Sequence, residues 1–232
     1  TYTKELRHHT IGDNFLTHQK SVSLGYETQT DPLNRIKRIN NTLYFADNAS
    51  LLYEDNNKEF VALEPGIDSP QYFFGEYPDP EVESIEKSFL FSKSNTSNPS
   101  GTRFVAFYTK FNRFKIYNTD GNIIKDTFIE DENLTSEDIN KDGFLYRSAI
   151  WASNEYIYTI GYNGTNKQIF EDFDETFRTF VEVWDWNGNL LNSMKFDRLI
   201  HNYTVSEKHN KIYAYSYLHE DKIFEYNLDD LF

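Results

Sequence analysis

Short runs with alternating side-chain character fill this chain, and the clearest lies near its C-terminal third. Residues 147–196 read as a strand RSAIWAS, a strand EYIYTIGY, a strand FVEVWDW, a turn at Asn187-Gly188 and a strand NLLNSMKF, in one antiparallel meander. Successive side chains of a strand point to opposite faces, so VEVWDW puts Val181 and Val183 on one face and Trp184 and Trp186 on the other. Both faces are bulky. A sheet with one wet face would alternate apolar with polar, so this pattern predicts a sheet covered on both sides.

The same pattern stands 67 residues upstream: Phe114 matches Val181, Ile116 matches Val183, Tyr117 matches Trp184, Gly121 matches Gly188, Asn122 matches Asn189 and Ile123 matches Leu190. The upstream block runs SFLFSKS from Ser88, TRFVAFYTK from Thr102, RFKIYNT from Arg113, a turn at Asp120-Gly121, then NIIKDTFI. The Asp-Gly and Asn-Gly pairs sit where a two-residue hairpin loop needs positive φ. Weaker copies flank the pair. Residues 35–64 give RIKRI, NTLYFAD, SLLYED and KEFVALE, and residues 201–229 give HNYTVSE, NKIYAYSYL and DKIFEYNL. Units of this length stacked in an array predict an all-β fold, a β-propeller of four-stranded antiparallel blades. The blades fall at 35–64, 88–129, 147–196 and 201–229 of one domain spanning 1–232, after an N-terminal segment 1–34 that holds a strand SVSLGY. A β-sandwich also has short strands and regular turns, but the register match at 67 residues favours the repeat array.

Composition sharpens this picture. With 20 Phe and 17 Tyr among 232 residues, the chain is rich in rings that favour strands, each able to bury roughly 150–250 Å². The formal charge of −14 repels phosphate backbones and anionic headgroups, which argues against nucleic acid as a partner. The absence of cysteine removes disulfides, thiolate chemistry and Cys-based metal sites. No run approaches the roughly 20 apolar residues of a membrane helix, so no transmembrane segment is expected. The first residue is Thr1, as expected of a chain that begins after a removed segment.

The stretches NPSGTRFVAFY, RFKIYNTDGNIIK, YIYTIGYNG, VEVWDWNGNLL and HNKIYAYSYLHEDKIFEYNL together resemble the TolB-like six-bladed β-propeller proteins found as envelope lipoproteins of Bacteroidetes-type bacteria. The resemblance covers roughly residues 35–232. It implies a bacterial envelope location, periplasmic or on the outer-membrane surface, with a lipid anchor on the precursor. It supplies no catalytic residue, and about four of the family's six blades are legible here.

Candidate chemistry is sparse. Asp138, Asn140 and Asp142 followed by Gly143 match the opening of a calcium loop, whose alternate oxygens turn inward around a glycine. The twelfth position is Ala149 where a bidentate Glu belongs, so a solvated turn is the plainer reading, and calcium is the one cofactor the motif proposes. No metal-binding histidine spacing, nucleophile elbow or phosphate loop occurs; NPSGT at 98–102 suits a β-turn, and the histidines are read as exposed or structurally satisfied. Six N-x-S/T sequons, beginning at Asn40, Asn48 and Asn95, are expected by chance in a chain rich in Asn, Ser and Thr, and the bacterial resemblance implies that they are unused.

From Tyr108 to Phe114 is 6 positions and from Tyr162 to Val181 is 19, which places 13 extra residues on one rim. Phe170, Phe173 and Phe177 interleave with acids there. Extra loops on a rigid scaffold are where recognition tends to sit, so these three rings are the candidate contact surface for a protein or glycan ligand. The expected function is a non-enzymatic binding module, and the rival is a carbohydrate-active hydrolase or lyase with acids at the propeller mouth. An enzyme would gather acids with perturbed pKa values in one pocket, whereas a binder would show an aromatic rim.

Overall fold

The computed structural model describes residues 5–11, 16–23, 37–40, 42–48, 57–67, 69–78, 87, 89–110, 112–129, 143–172 and 176–231. These residues form an all-β chain of antiparallel sheets, and its two compact units are Thr1–Pro80 and Glu81–Phe232. No helix among them is long and apolar enough to cross a membrane.

In the first unit, β1 (Glu5–Ile11) and β2 (Leu16–Ser23) pair as a hairpin. The start of the predicted SVSLGY closes β2, and the rest of it lies outside the described residues. β3 (Lys37–Arg38), β4 (Tyr44–Asp47), β5 (Lys58–Leu63) and β6 (Tyr72–Glu76) make a four-stranded sheet in chain order. The predicted block therefore ended one strand early. KEFVALE supplies the third strand and Tyr72–Glu76 the fourth, while SLLYED lies outside the described residues. On one face Phe74 packs between Phe45 and Phe60, with ring centroids 4.5 and 5.2 Å away. Ala46, Val61 and Leu63 cluster together, with Tyr44 and Phe73 against them.

The second unit begins with β7 (Lys93–Ser97), β8 (Arg103–Tyr108), β9 (Arg113–Asn118) and β10 (Ile123–Phe128). Next come β11 (Phe144–Ala152), β12 (Tyr156–Thr165), β13 (Phe180–Asp185) and β14 (Leu190–Lys195). A three-stranded sheet follows, of β15 (Asn202–Ser206), β16 (Lys211–Tyr215) and β17 (Ile223–Asn227). The 67-residue repeat holds to the residue: the bounds of β9 and β10 plus 67 are those of β13 and β14. Burial repeats too, with the middles of β9 and β13 buried and the outer strands β10 and β14 exposed.

One strand moved. SFLFSKS was expected to open the upstream sheet, yet around Leu90 and Phe91 the chain takes a helical turn, closed by the Phe91 N–H on the Lys87 carbonyl at 2.9 Å, and the strand starts at Lys93. Both apolar side chains are buried from that turn.

The hairpin loops also differ in detail. Gly121 (φ 78°) and Gly188 (φ 82°) are left-handed, but Asp120 and Asn187 are not. Each loop is three residues long: Asn118 N–H meets the Asn122 carbonyl at 3.0 Å, and Asp185 N–H meets the Asn189 carbonyl at 3.0 Å. A type I turn closed by a left-handed glycine needs positive φ at only that one position, which is why the preceding residue stays right-handed. Asn118 and Asp185 stiffen the loops alike, each accepting two backbone N–H bonds through Oδ1. The expected turn at NPSGT is present, with Gly101 (φ 66°) bonded to the Asn98 carbonyl at 2.9 Å.

The sheets of this unit stack face to face, as the two bulky faces of β13 require. Trp184 and Trp186 pack with Val105, Phe107, Phe114 and Ile116 of the preceding sheet. Val181 and Val183 face the other way, into a core with Val205, Ile212 and Ala214 of the following sheet. Trp184 meets Phe114 edge-on at 4.9 Å, a geometry worth about 0.5–1.5 kcal/mol beyond area burial. Polar ties bind the same interface: Arg103 Nη1 donates to the Trp186 carbonyl at 2.6 Å, Tyr146 N–H to the Thr109 carbonyl at 2.8 Å, and Ser100 N–H to Asn154 Oδ1 at 2.9 Å. First strands adjoin first strands, β11 lying beside both β7 and β15.

Candidate functional site

The insertion between β12 and β13 is one residue longer than the sequence alignment implied. Tyr108 and Arg113 flank the short connection, whereas Gly161 pairs with Phe180 across the long one, so Gly161 and not Tyr162 is the counterpart of Tyr108. A slip of one residue exchanges the faces of a strand. Tyr162 is consequently free to point into the core with the following sheet.

The chain leaves β12 through a short helix, α1 (Asn166–Phe170), started by a reciprocal cap. Thr165 Oγ1 accepts the Gln168 N–H at 3.3 Å, and Gln168 Oε1 accepts the Thr165 N–H at 3.0 Å. Ile169 is fully buried in the core shared with β15 and β16, and it anchors the helix. On the return path a ring takes the space a side chain would fill: a Cβ on Gly164 would stand 2.5 Å from Phe177, and one on Gly161 would stand 2.0 Å from Phe180. Thr179, also buried, ties the return to the next connection by accepting the Ile200 N–H at 3.0 Å.

His201, just before β15, joins this insertion to the last sheet. Its Nδ1 accepts the Tyr217 N–H at 3.1 Å, which leaves the ring proton on Nε2, where it is donated to the Ile169 carbonyl at 3.1 Å. Burial holds the His201 pKa below its ordinary value, and the Ile169 contact opposes this only in part. Tyr162 donates its hydroxyl to the His201 carbonyl at 3.2 Å; burial raises its pKa well above the usual phenol range, with Tyr217 adding to the effect.

Around His201 the rings form a row. Tyr162 to Phe170 is 6.2 Å, Phe170 to His201 5.5 Å, His201 to Tyr217 4.3 Å, and Tyr217 to Tyr215 5.5 Å between centroids. Tyr162 and His201 are buried, while Phe170 and Tyr217 are 36% and 48% exposed. Both nitrogens of His201 are engaged with backbone, and burial favours the protonated Tyr162 phenol, so these two buried groups hold the row in place while Phe170 and Tyr217 expose ring surface.

The three rings proposed from sequence take different places. Phe170 belongs to the row, Phe177 is half-buried on Gly164 against the core, and Phe173 lies outside the described residues. Asp138, Asn140 and Asp142 also lie outside them; Gly143 is described, left-handed at φ 52°, and its carbonyl accepts the Asn166 N–H at 2.8 Å. Among the described residues no group of three or more His, Asp or Glu stands close enough to hold a metal. Asn48 and Asn95 are buried, which leaves those two sequons no room for a glycan. The sequence marks His201 only as an exposed or structurally satisfied histidine and does not single out Tyr217, because the two lie on separate connections and only the fold brings them to Phe170.

No family model matches the sequence, and no curated protein matches it either. Among solved structures, the chain is similar to a member of the DUF4221 family from Bacteroides vulgatus, with a TM-score of 0.50 and 13% identity. That similarity covers 83% of this chain and 58% of the other, so the chain spans somewhat over half the length of that protein. A protein from Bacteroides uniformis, provisionally named a 6-phosphogluconolactonase, gives a TM-score of 0.48 at 12% identity over 97% of this chain and 74% of the other. At 13% identity the first likeness is one of fold.

Proposed function

We propose that the chain is a non-enzymatic binding module of a bacterial cell envelope, built as a TolB-like six-bladed β-propeller, and that the ring row around His201 contacts its ligand. The row carries this reading. Aromatic rings give large, stiff contact area at small cost in side-chain freedom, and here two exposed rings rest on buried ones fixed by hydrogen bonds. Four-stranded meanders stacked face to face, first strand beside first strand, support the propeller. The fold likeness to a Bacteroides protein is in keeping with the envelope assignment.

The test is a binding screen of the purified chain against glycan and peptide arrays. A ligand whose affinity drops about tenfold or more, some 1.4 kcal/mol, in both Phe170→Ala and Tyr217→Ala, with the melting temperature unmoved, supports the reading. Turnover of a polysaccharide, or binding indifferent to both substitutions, overturns it.

A further inference from the structure

The sheets β3–β6, β7–β10 and β11–β14 each have four strands in chain order, whereas the last sheet has three and ends on β17. In the second unit the third strands β9 and β13 are each paired with a fourth, and their middle residues are buried. β17 holds the third place with no fourth strand among the described residues. Ile223, Glu225 and Asn227 are exposed along it, Ile223 at 65%.

The ladder fixes which backbone groups stand open. Leu228 N–H donates to the Asn210 carbonyl at 3.0 Å, and the pairing runs on in register from Lys211 opposite Asn227 to Tyr215 opposite Ile223. Bonded and non-bonded pairs alternate along an antiparallel ladder, so Phe224 and Tyr226 bond to β16. The N–H and C=O groups of Ile223, Glu225 and Asn227 turn outward, with no partner strand among the described residues. Such a row is a template for another strand. It is also stiff: the Tyr226 hydroxyl donates to Asp197 Oδ1 at 2.6 Å, and the Arg198 guanidinium lies 3.8 Å from the Phe224 ring centroid, so both rings are held by the connection that follows β14. A preformed edge loses little freedom when a strand joins it.

Charge selects the occupant. Glu220 and Asp221 precede β17, Glu225 lies on it, and Asp229 and Asp230 follow, all exposed, while Lys222 is the one base of that stretch. A second copy of this chain is a poor fit. Antiparallel pairing of two β17 strands over their full length sets Glu225 opposite Glu225, and like charges directly opposite destabilise a sheet. Each copy also brings a formal charge of −14.

We propose that β17 takes up an extended basic segment of another protein as the fourth, antiparallel strand of its sheet, bonded to the backbone of Ile223, Glu225 and Asn227. Its Lys or Arg side chains share the face of Glu225, and its alternate, apolar side chains lie beside Phe224 and Tyr226. Backbone pairing supplies the affinity, and the alternation of base and apolar residue supplies the selection.

The test uses the intact chain, a synthetic peptide as long as β17 that alternates valine with lysine, and a valine–glutamate peptide as its counterpart, with amide exchange followed by NMR. Without peptide, the Ile223, Glu225 and Asn227 amides should exchange fast and those of Phe224 and Tyr226 slowly. Saturating lysine peptide should slow the first three about tenfold or more, and the glutamate peptide should leave them fast. Glu225→Pro removes an N–H that β16 does not use and should weaken the lysine peptide about tenfold or more. Glu225→Lys should shift preference toward the glutamate peptide, which keeps the test open should the proline disturb the strand. Three outward amides already slow in the monomer would mean that another part of this chain holds the edge, and slowing that grows with protein concentration would mean a second copy does. Either result overturns the proposal, as does a lysine peptide that protects these amides no better than the glutamate peptide.

Discussion

The Arg147 guanidinium and the Glu182 carboxylate meet as a buried fork, Nε to Oε2 at 2.7 Å and Nη2 to Oε1 at 2.9 Å. Arg147 comes from β11 and Glu182 from β13, and the free Nη1 reaches Asn112 in the preceding sheet. Trp184 Nε1 donates to the same Glu182 Oε2 at 3.1 Å, so both carboxylate oxygens are engaged. Removing one partner would strand the other charge in a water-poor interface between sheets. Glu182→Ala should lower unfolding free energy by about 3–5 kcal/mol, and the double change Arg147→Met with Glu182→Leu should recover most of it, as read by urea denaturation.

Glycine at 161 and 164 is required by space. A Cβ at Gly161 would meet Phe180 at 2.0 Å, far inside van der Waals contact. Gly161→Ala is expected to cost about 1–3 kcal/mol in denaturant midpoint measurements, because the Phe180 ring has to leave its seat. At Gly188 the strain is of the backbone as well, since φ is 82° and Lys125 Cγ would lie 2.8 Å from the new Cβ.

Protonation of His201 opposes folding. Its pKa in the folded chain lies below the unfolded value of about 6.5, so the unfolded state binds more protons in the interval between them. Stability is therefore retained above that pH and lost as the pH falls below it. Thermal melts from pH 8 to 5 should show a decline that is shallower in His201→Gln, and identical slopes would refute the assignment of His201 to this effect.

Phe170 and Phe177 should separate under mutation. Phe177 packs on the core and fills the gap above Gly164, so Phe177→Ala should cost about 2–3 kcal/mol. Phe170 is exposed and its loss should leave the melting temperature nearly unchanged while weakening ligand binding.

Much of this fold was legible because period-two alternation and a 67-residue repeat are both written in the chain. Val181 and Trp184 face opposite neighbours as their alternation requires. What misled was local. SFLFSKS has the composition of a strand but turns helically, since tertiary burial of Leu90 and Phe91 outweighs propensity. The Asp-Gly and Asn-Gly pairs marked their hairpins correctly but not the loop length, which depends on a backbone closure that a dipeptide does not encode. The ring row was half visible: Phe170 stood out in an insertion, whereas His201 and Tyr217 are distant in sequence and meet it only through β15 and β16.

The insertion between β12 and β13 is fastened at its two margins, by Ile169 sunk in the core and by Phe177 seated over Gly164. A segment secured in this way can exchange the residues between its anchors without disturbing strand pairing. The scaffold is thereby suited to grafting, and homologous chains are expected to diverge most in length and sequence between those two points while keeping a glycine and a large ring to close the seam.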